Sequence, residues 1–309
     1  LSPSSGYDTQ YQNAARMKNS GIELDGSWNM INQTNMGFDL TFNWATNKNE
    51  VLDLAGTEVL YLGSGSVNSV AKVGFPIGSL YGTGSQTEDG TVDGKLILNA
   101  NGFPQITSLP IVLGDPNPDW RGTVGVNAHW KNFRLNILFE HSQGGRYSPR
   151  TQWVLRRFGT TMDTAERTTL TQDLVNYDGD IVASGTTIRG KVHDFGGGDV
   201  ILDETWYRHG IGGGFGDNQA YNFSIKDATF SRIKELSLSY TLTSPSFREM
   251  TRLSSVTVTA TARNLFAWYK ELVGVDPQVN VGGIQTGFGL DYFANPSTKS
   301  YLFSVAANF

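Results

Sequence analysis

Seven stretches of this chain alternate apolar and polar side chains residue by residue, and the connections between them alternate between short and long. Side chains of a β-strand point to opposite faces in turn, so each stretch reads as a strand with one apolar and one polar face. Residues 21–30 set Ile22, Leu24, Trp28 and Met30 against Glu23, Asp25, Ser27 and Asn29. Residues 36–48 set Met36, Phe38, Leu40, Phe42 and Trp44 against Asp39, Thr41 and Asn43. Residues 120–130 oppose Val124, Val126 and Ala128 to Thr123, Asn127 and His129, and residues 133–142 oppose Leu135, Ile137 and Phe139 to Arg134, Asn136 and Glu140. In 230–242 the clearest members are Leu236, Leu238, Tyr240 and Leu242. Residues 254–264 carry Val256, Val258, Ala260 and Ala262, a parity that continues through Phe266 and Trp268. Residues 300–309 end the series, with Tyr301, Phe303, Val305, Ala307 and Phe309 on one face and Leu302 the exception on the other. About ten residues is what a tilted strand needs to cross a bilayer.

The connections 31–35, 131–132 and 243–253 are short, the last with room for one helical turn; 49–119, 143–229 and 265–299 are long, polar and Gly-rich. Bacterial outer-membrane barrels have short periplasmic turns and long extracellular loops. With the C-terminus in the periplasm, every short connection here falls on that side and every long one outside. A soluble sandwich has no reason to segregate lengths in this way, and structureless loops this long are uncommon in compact domains. In the same orientation Trp28, Trp130, Phe133, Tyr240 and Phe309 form a periplasmic girdle, and Trp44, Trp120, Phe139, Trp268 and Tyr301 an outer one. Arg232 and Lys234 share parity with Leu236, which places them on the lipid face near its outer edge, where snorkelling reduces the cost to roughly 0–1 kcal/mol. Asp39, Asn43, Arg121, Asn127, Arg134 and Glu140 face the lumen, to hydrate the wall or hold a plug.

Cysteine is absent, which excludes disulfides and thiolate metal sites. A net charge of -5 without a basic run argues against nucleic-acid binding. No apolar run reaches the ~18 residues of a membrane helix, a fact that carries little weight for a barrel because alternation averages out. The start, LSPSSGYDTQ, has neither the basic nor the apolar region of a signal peptide. Seven strands are an odd number, whereas bacterial single-chain barrels are even-stranded. An open sheet would leave two unpaired edges in lipid. The expected fold is therefore all-β: 1–309 is the C-terminal portion, about seven strands, of one large antiparallel transmembrane β-barrel whose other strands precede Leu1.

Several segments resemble the C-terminal barrel half of the SusC/RagA family of TonB-dependent outer-membrane transporters. They are MKNSGIELDGSW with TNKNEVLDL; VGFPIGSLYG followed by VLGDPNPDWRG and WKNFRLNILFEHSQGG; IKDATFSRIKELSLSYTL; and TARNLFAWYKELVGVDPQVN before the aromatic last strand. The resemblance spans most of 21–309 and is weakest in 159–220. It implies a barrel of about 22 strands closed by an N-terminal plug, energised through TonB, lidded by a SusD-like surface lipoprotein and importing oligosaccharides or peptides. On this match the seven strands are the last seven. Two other readings stay open: a secreted, soluble all-β carbohydrate-binding or carbohydrate-active protein, and an outer-membrane barrel with an adhesive or enzymatic role and no plug.

No catalytic constellation is apparent, and the four histidines (His129, His141, His193, His209) lack metal-ligand spacing. HDFGGGDVILDE offers Asp194, Asp199 and Asp203 to a loop Ca²⁺ but lacks the EF-hand order. GIGGGFG has no strand-to-helix context for a nucleotide, and DPNPDW reads as a Pro-fixed turn feeding a strand. Trp153, Trp206 and Tyr207 are read as exposed rings able to stack on cargo sugars, against the plainer alternative of loop packing. Tyr301, Phe303 and above all the terminal Phe309 fit a signal for the barrel-assembly machinery.

Overall fold

Strands of strictly sequential order make a single antiparallel sheet in the computed structural model of the chain, which describes residues 6, 15–63, 65–210, 219–281 and 289–309. The strands are β1 (Arg16–Gln33), β2 (Met36–Asp53), β3 (Trp120–Trp130), β4 (Phe133–Gln143), β5 (Phe230–Leu242), β6 (Ser255–Tyr269) and β7 (Ser300–Asn308), each hydrogen-bonded to the next. β1 and β7 are its two edges. All of the GIGGGFG run but Gly210, and most of LSPSSGYDTQ, lie outside the described residues.

The register turns the alternation into rows. Trp28, Leu40, Val126, Ile137, Leu236, Ala262 and Tyr301 are successive cross-strand partners, one apolar residue from each strand. On the opposite face Asn29, Asp39, Asn127, Asn136, Ser237 and Thr261 do the same, and the row ends at Leu302, the residue that breaks the pattern in the sequence. Hydrogen bonds join the polar face across strands. Asn43 Nδ2 donates to Asp25 Oδ1 at 2.6 Å, and the hydroxyl pairs Ser237–Thr261, Ser239–Thr259 and Thr241–Thr257 lie at 2.8–2.9 Å. The apolar face has no second layer: Leu24, Trp28, Phe42, Trp130, Leu238, Phe303 and Val305 are all exposed. A soluble sandwich would cover such a face with another sheet. Trp130, Phe133 and Tyr240 share one end of the sheet, with the Phe133 and Tyr240 rings 4.6 Å apart.

One expectation from parity is corrected. Between Ile233 and Glu235 the pairing of β5 with both β4 and β6 slips by a residue. Lys234 is the extra residue of a bulge, and a bulge reverses the faces beyond it. Ile233 therefore lies with Leu236 on the apolar side, and Arg232 lies opposite Glu140 on the polar side. Arg232 is 6% exposed, and its Nε donates to Glu140 Oε2 at 2.8 Å while Nη2 donates to Gln278. It does not snorkel from lipid. A similar slip between Asn29 and Ile31 makes Met30 the extra residue of β1 and puts Ile31 beside Phe38.

β1 and β2 are each 18 residues long, against the 10 and 13 read from alternation. At about 3.4 Å per residue they reach roughly 60 Å, twice the hydrocarbon thickness. Their far ends carry polar residues on both faces, so alternation fades there although the ladder continues to Arg16↔Asp53. Gly26 lets the β2 ring lie flat across β1: a Cβ there would sit 2.2 Å from the Phe42 ring. The turns Thr34–Asn35 and Lys131–Asn132 have two residues each. The third short connection holds more than one turn of helix. In α3 (Pro245–Thr251), Ser244 Oγ accepts the Phe247 N–H, Pro245 begins the helix, and Arg252 ends it in a left-handed conformation.

The three long connections, trimmed by the observed strands to 54–119, 144–229 and 270–299, fold against one another into a cap. The first holds a four-stranded sheet of Val59–Tyr61, Asn68–Lys72, Ser79–Gly82 and Ile111–Gly114. The second holds α1 (Arg150–Arg157) and α2 (Glu204–His209). One buried cluster takes Val67, Leu80 and Leu113 from the first connection, Trp153, Tyr221 and Ile225 from the second, and Leu290 from the third. A second joins Phe103 to Val200, Leu202, Trp206 and Tyr207.

Candidate functional site

The cap is stitched where the second connection leaves β4. Arg146–Pro149 runs antiparallel to Lys226–Asp227 and parallel to Leu290–Asp291. The Tyr147 hydroxyl donates to Val279 O at 2.5 Å and lies 3.2 Å from Asp276 O; burial pushes its pKa up, so it remains a proton donor. The N-cap residue of α1, Pro149, supplies no side-chain acceptor. That role falls to buried Asp291 of the third connection, whose Oδ2 accepts the Thr151 N–H at 3.2 Å.

Beside this seam lies a cavity of about 810 Å³, well within the range of small-ligand sites. Phe75, Tyr81 and Ile111 give it apolar walls; Lys72, Asp115, Asn117, Asp119, Gln143 and Arg146 supply polar groups. Lys72 Nζ stands 5.9 Å from the centroids of both the Phe75 and Tyr81 rings. Asp115 Oδ1 accepts two hydrogen bonds from Asn117, from its N–H at 2.9 Å and its side-chain amide at 2.7 Å, and that amide also reaches Ile77 O at 3.3 Å. Burial nevertheless holds the Asp115 carboxyl above the usual carboxylate range, with Asp119 adding repulsion. Asp119 joins cap to sheet, its N–H donating to Gln143 O and its carbonyl accepting from Thr46 Oγ1. Such a wall offers aromatic faces, carboxylates and amides to a polar, uncharged or mildly charged ligand.

DPNPDW, read as a turn alone, thus also rims this cavity. Two prolines fix the turn, its own hydrogen bonds hold the Asp115 carboxyl, and Asp115 and Asp119 both line the cavity; the signal lies in the alternation of Asp and Asn with Pro.

The expected exposure of Trp153, Trp206 and Tyr207 is corrected: all three are buried. Trp153 stacks on Tyr221 with ring centroids 5.2 Å apart, and its Nε1 donates to Ser224 O at 3.2 Å. Trp206 is enclosed by Phe103, Tyr177, Phe195 and Phe223 at 5.2–6.4 Å. Their faces are spent on the cap core, although an edge of Tyr207 reaches a smaller pocket beside α2. Two of the three candidate Ca²⁺ acids are likewise committed. Asp194 Oδ1 accepts from the Gly196 and Gly198 amides, which hold its carboxyl below the usual range, and Asp203 caps α2 through the Thr205 N–H. Among the described residues no three His, Asp or Glu side chains are placed to share a cation. Tyr301, Phe303 and Phe309 lie exposed on the apolar face and end of edge strand β7; Phe309 is 97% exposed.

No protein-family model matches the chain. TonB-dependent receptor P3 of Formosa agariphila is 25% identical over 336 residues, covering 99% of this chain and 30% of that protein. TonB-dependent receptor P26 of the same organism is 25% identical over 326 residues, covering 95% and 29%. The fold matches a structure of the RagAB peptide transporter at a TM-score of 0.61 and 19% identity, covering 99% of this chain and 31% of that one. It matches the RagAB peptide importer in its "open-open" state at 0.63 and 18% identity, covering 100% and 30%. The chain thus spans less than a third of the length of each relative. The expectation of a protein without an enzymatic role agrees with these relatives, whose family is non-enzymatic and implies a bacterial outer-membrane location. By its sequence over nearly its whole length, and with a matching fold, the chain is homologous to part of a TonB-dependent receptor.

Proposed function

We propose that the chain forms the last seven strands of a transmembrane barrel of about 22 strands, belonging to a TonB-dependent importer of oligosaccharides or peptides. The C-terminus lies in the periplasm, the two-residue turns and α3 face the same side, and the cap stands outside the cell. A plug and a TonB-binding segment precede this chain in the full polypeptide, and a SusD-like lipoprotein closes over the cap. Cargo passes the ≈810 Å³ cavity on its way to the lumen. Phe309, with Tyr301 and Phe303, is read by the barrel-assembly machinery.

One observation carries this reading: a seven-stranded sheet with an unbroken apolar row on one face, a polar row on the other and no partner at either edge among the described residues. Lipid satisfies the first face, a water-filled lumen the second, and further strands the edges. The RagAB structures, described as those of a peptide transporter, support a two-component importer.

The test is an immunoblot, against this segment, of fractionated cells of the source organism. A band of about 100 kDa in the outer membrane is expected, as a plugged barrel of about 22 strands requires. A soluble band near 33.8 kDa would overturn the proposal in favour of a secreted all-β protein.

A further inference from the structure

The chain carries a net charge of -5, yet four arginines converge on one small pocket. Its volume is about 260 Å³, and Arg156, Arg157, Arg189 and Arg208 line it together with Phe158 and Glu204. It lies where the C-terminal ends of α1 and α2 meet the strand Thr187–Arg189. Like charges so close repel one another unless something negative sits among them. Part of the arrangement is structural. Arg189 donates through Nε to Thr164 O at 3.0 Å and through Nη2 to Gly159 O at 2.5 Å; Arg157 Nη1 donates to Arg208 O at 2.9 Å, so these cations serve the carbonyl ends of the helices. Arg156 is paired with Asp163 at 2.6 Å.

Those bonds do not use up the donors. A guanidinium has five N–H groups. Arg189 keeps its Nη1 group, and the Arg208 side chain has no hydrogen bond or ion pair among the described residues. The backbone is shaped to leave room: Gly159 has φ +66°, and a Cβ there would come within 2.8 Å of Arg189 Nη2. Phe158, 69% exposed, stands at the rim as a flat apolar face. Glu204 on the wall disfavours a ligand with several negative charges and suits one anionic group flanked by hydroxyls, which it can accept from.

We propose that this pocket binds the carboxylate or sulfate of an acidic oligosaccharide, with Arg189 and Arg208 on the oxyanion and Phe158 against the sugar ring. The cargo assignment rests on the importer reading given above; binding is measured without transport, so the two fail separately.

The experiment is calorimetric titration of the full-length protein in detergent with a glucuronate-containing disaccharide and its neutral counterpart. At low salt the acidic sugar should bind at least about tenfold more tightly, as expected for a charge-assisted hydrogen bond, and the gap should shrink at high salt. Arg208→Gln, which removes no bond of the cap, should weaken the acidic sugar about tenfold and leave the neutral one unchanged. Equal affinities for the two sugars, or an Arg208→Gln variant that binds like the parent, would overturn the site. An acidic dipeptide preferred over the acidic sugar, or inorganic sulfate binding as tightly, would overturn its assignment to a sugar.

Discussion

Arg232 illustrates how much one side chain can hold. It sits buried between Glu140 of the neighbouring strand and Gln278 of the third connection, so one guanidinium ties sheet to cap. Replacing one partner of a buried ion pair leaves the other charge uncompensated, which typically costs 3–5 kcal/mol, whereas replacing both can be nearly neutral. Removing Arg232 leaves Glu140 with Lys234 alone, whose Nζ lies 3.6 Å away, so Arg232→Met should lower the stability of the refolded full-length barrel by up to about 3 kcal/mol, and Arg232→Met with Glu140→Gln by less. Urea unfolding followed by tryptophan fluorescence reads both, and equal losses would mean that the pair is not coupled. The sequence misleads at this residue because parity is propagated along a strand, and a single unpaired residue reverses it without changing composition. Trp153 and Trp206 mislead for another reason. Each lies in a polar, Gly-rich stretch that looks exposed, and the groups that bury them arrive from segments far away in the chain.

Elements were more legible than their ends. All seven strands stand where alternation places them, because a face in lipid and a face in water impose period two on every residue between. β1 and β2 outrun that zone, and there the sequence has no reason to alternate. The bulge in β5 gives the sharpest test at this scale. Inserting one residue after Lys234 would turn the outer end of β5 over, placing Arg232 on the apolar face and Ile233 on the polar one, whereas deleting Lys234 would keep both on their present faces. Assembly of the insertion variant into the outer membrane should fall severely, measured as loss of the heat-modifiable folded band; undiminished assembly would show that the facing set at the bulge is incidental. Deleting Phe309 should also reduce the amount assembled, but with unchanged stability in the barrels that form, because this residue makes no packing contact that buries it. Normal amounts of barrel would remove its role as a signal.

For the whole molecule, the sheet could be inferred from the sequence and the cap could not. Alternation is a local property, whereas the cap exists through contacts between connections that are separate in the chain: Asp291 completes α1, Tyr147 holds residues 276–279, and Leu290 closes a core begun by Val67. The ≈810 Å³ cavity is not legible in the sequence for the same reason, since its wall is shared by the first and second connections. The sharing has a consequence for how such proteins diversify. Loops on a barrel are usually treated as interchangeable parts, each free to drift while the wall stays fixed. Here a new second connection would arrive without the first connection's half of its core, and its helix without the aspartate that begins it. Descendants of this chain must inherit their outer surface as a block, and a grafted specificity has to bring all three connections with it.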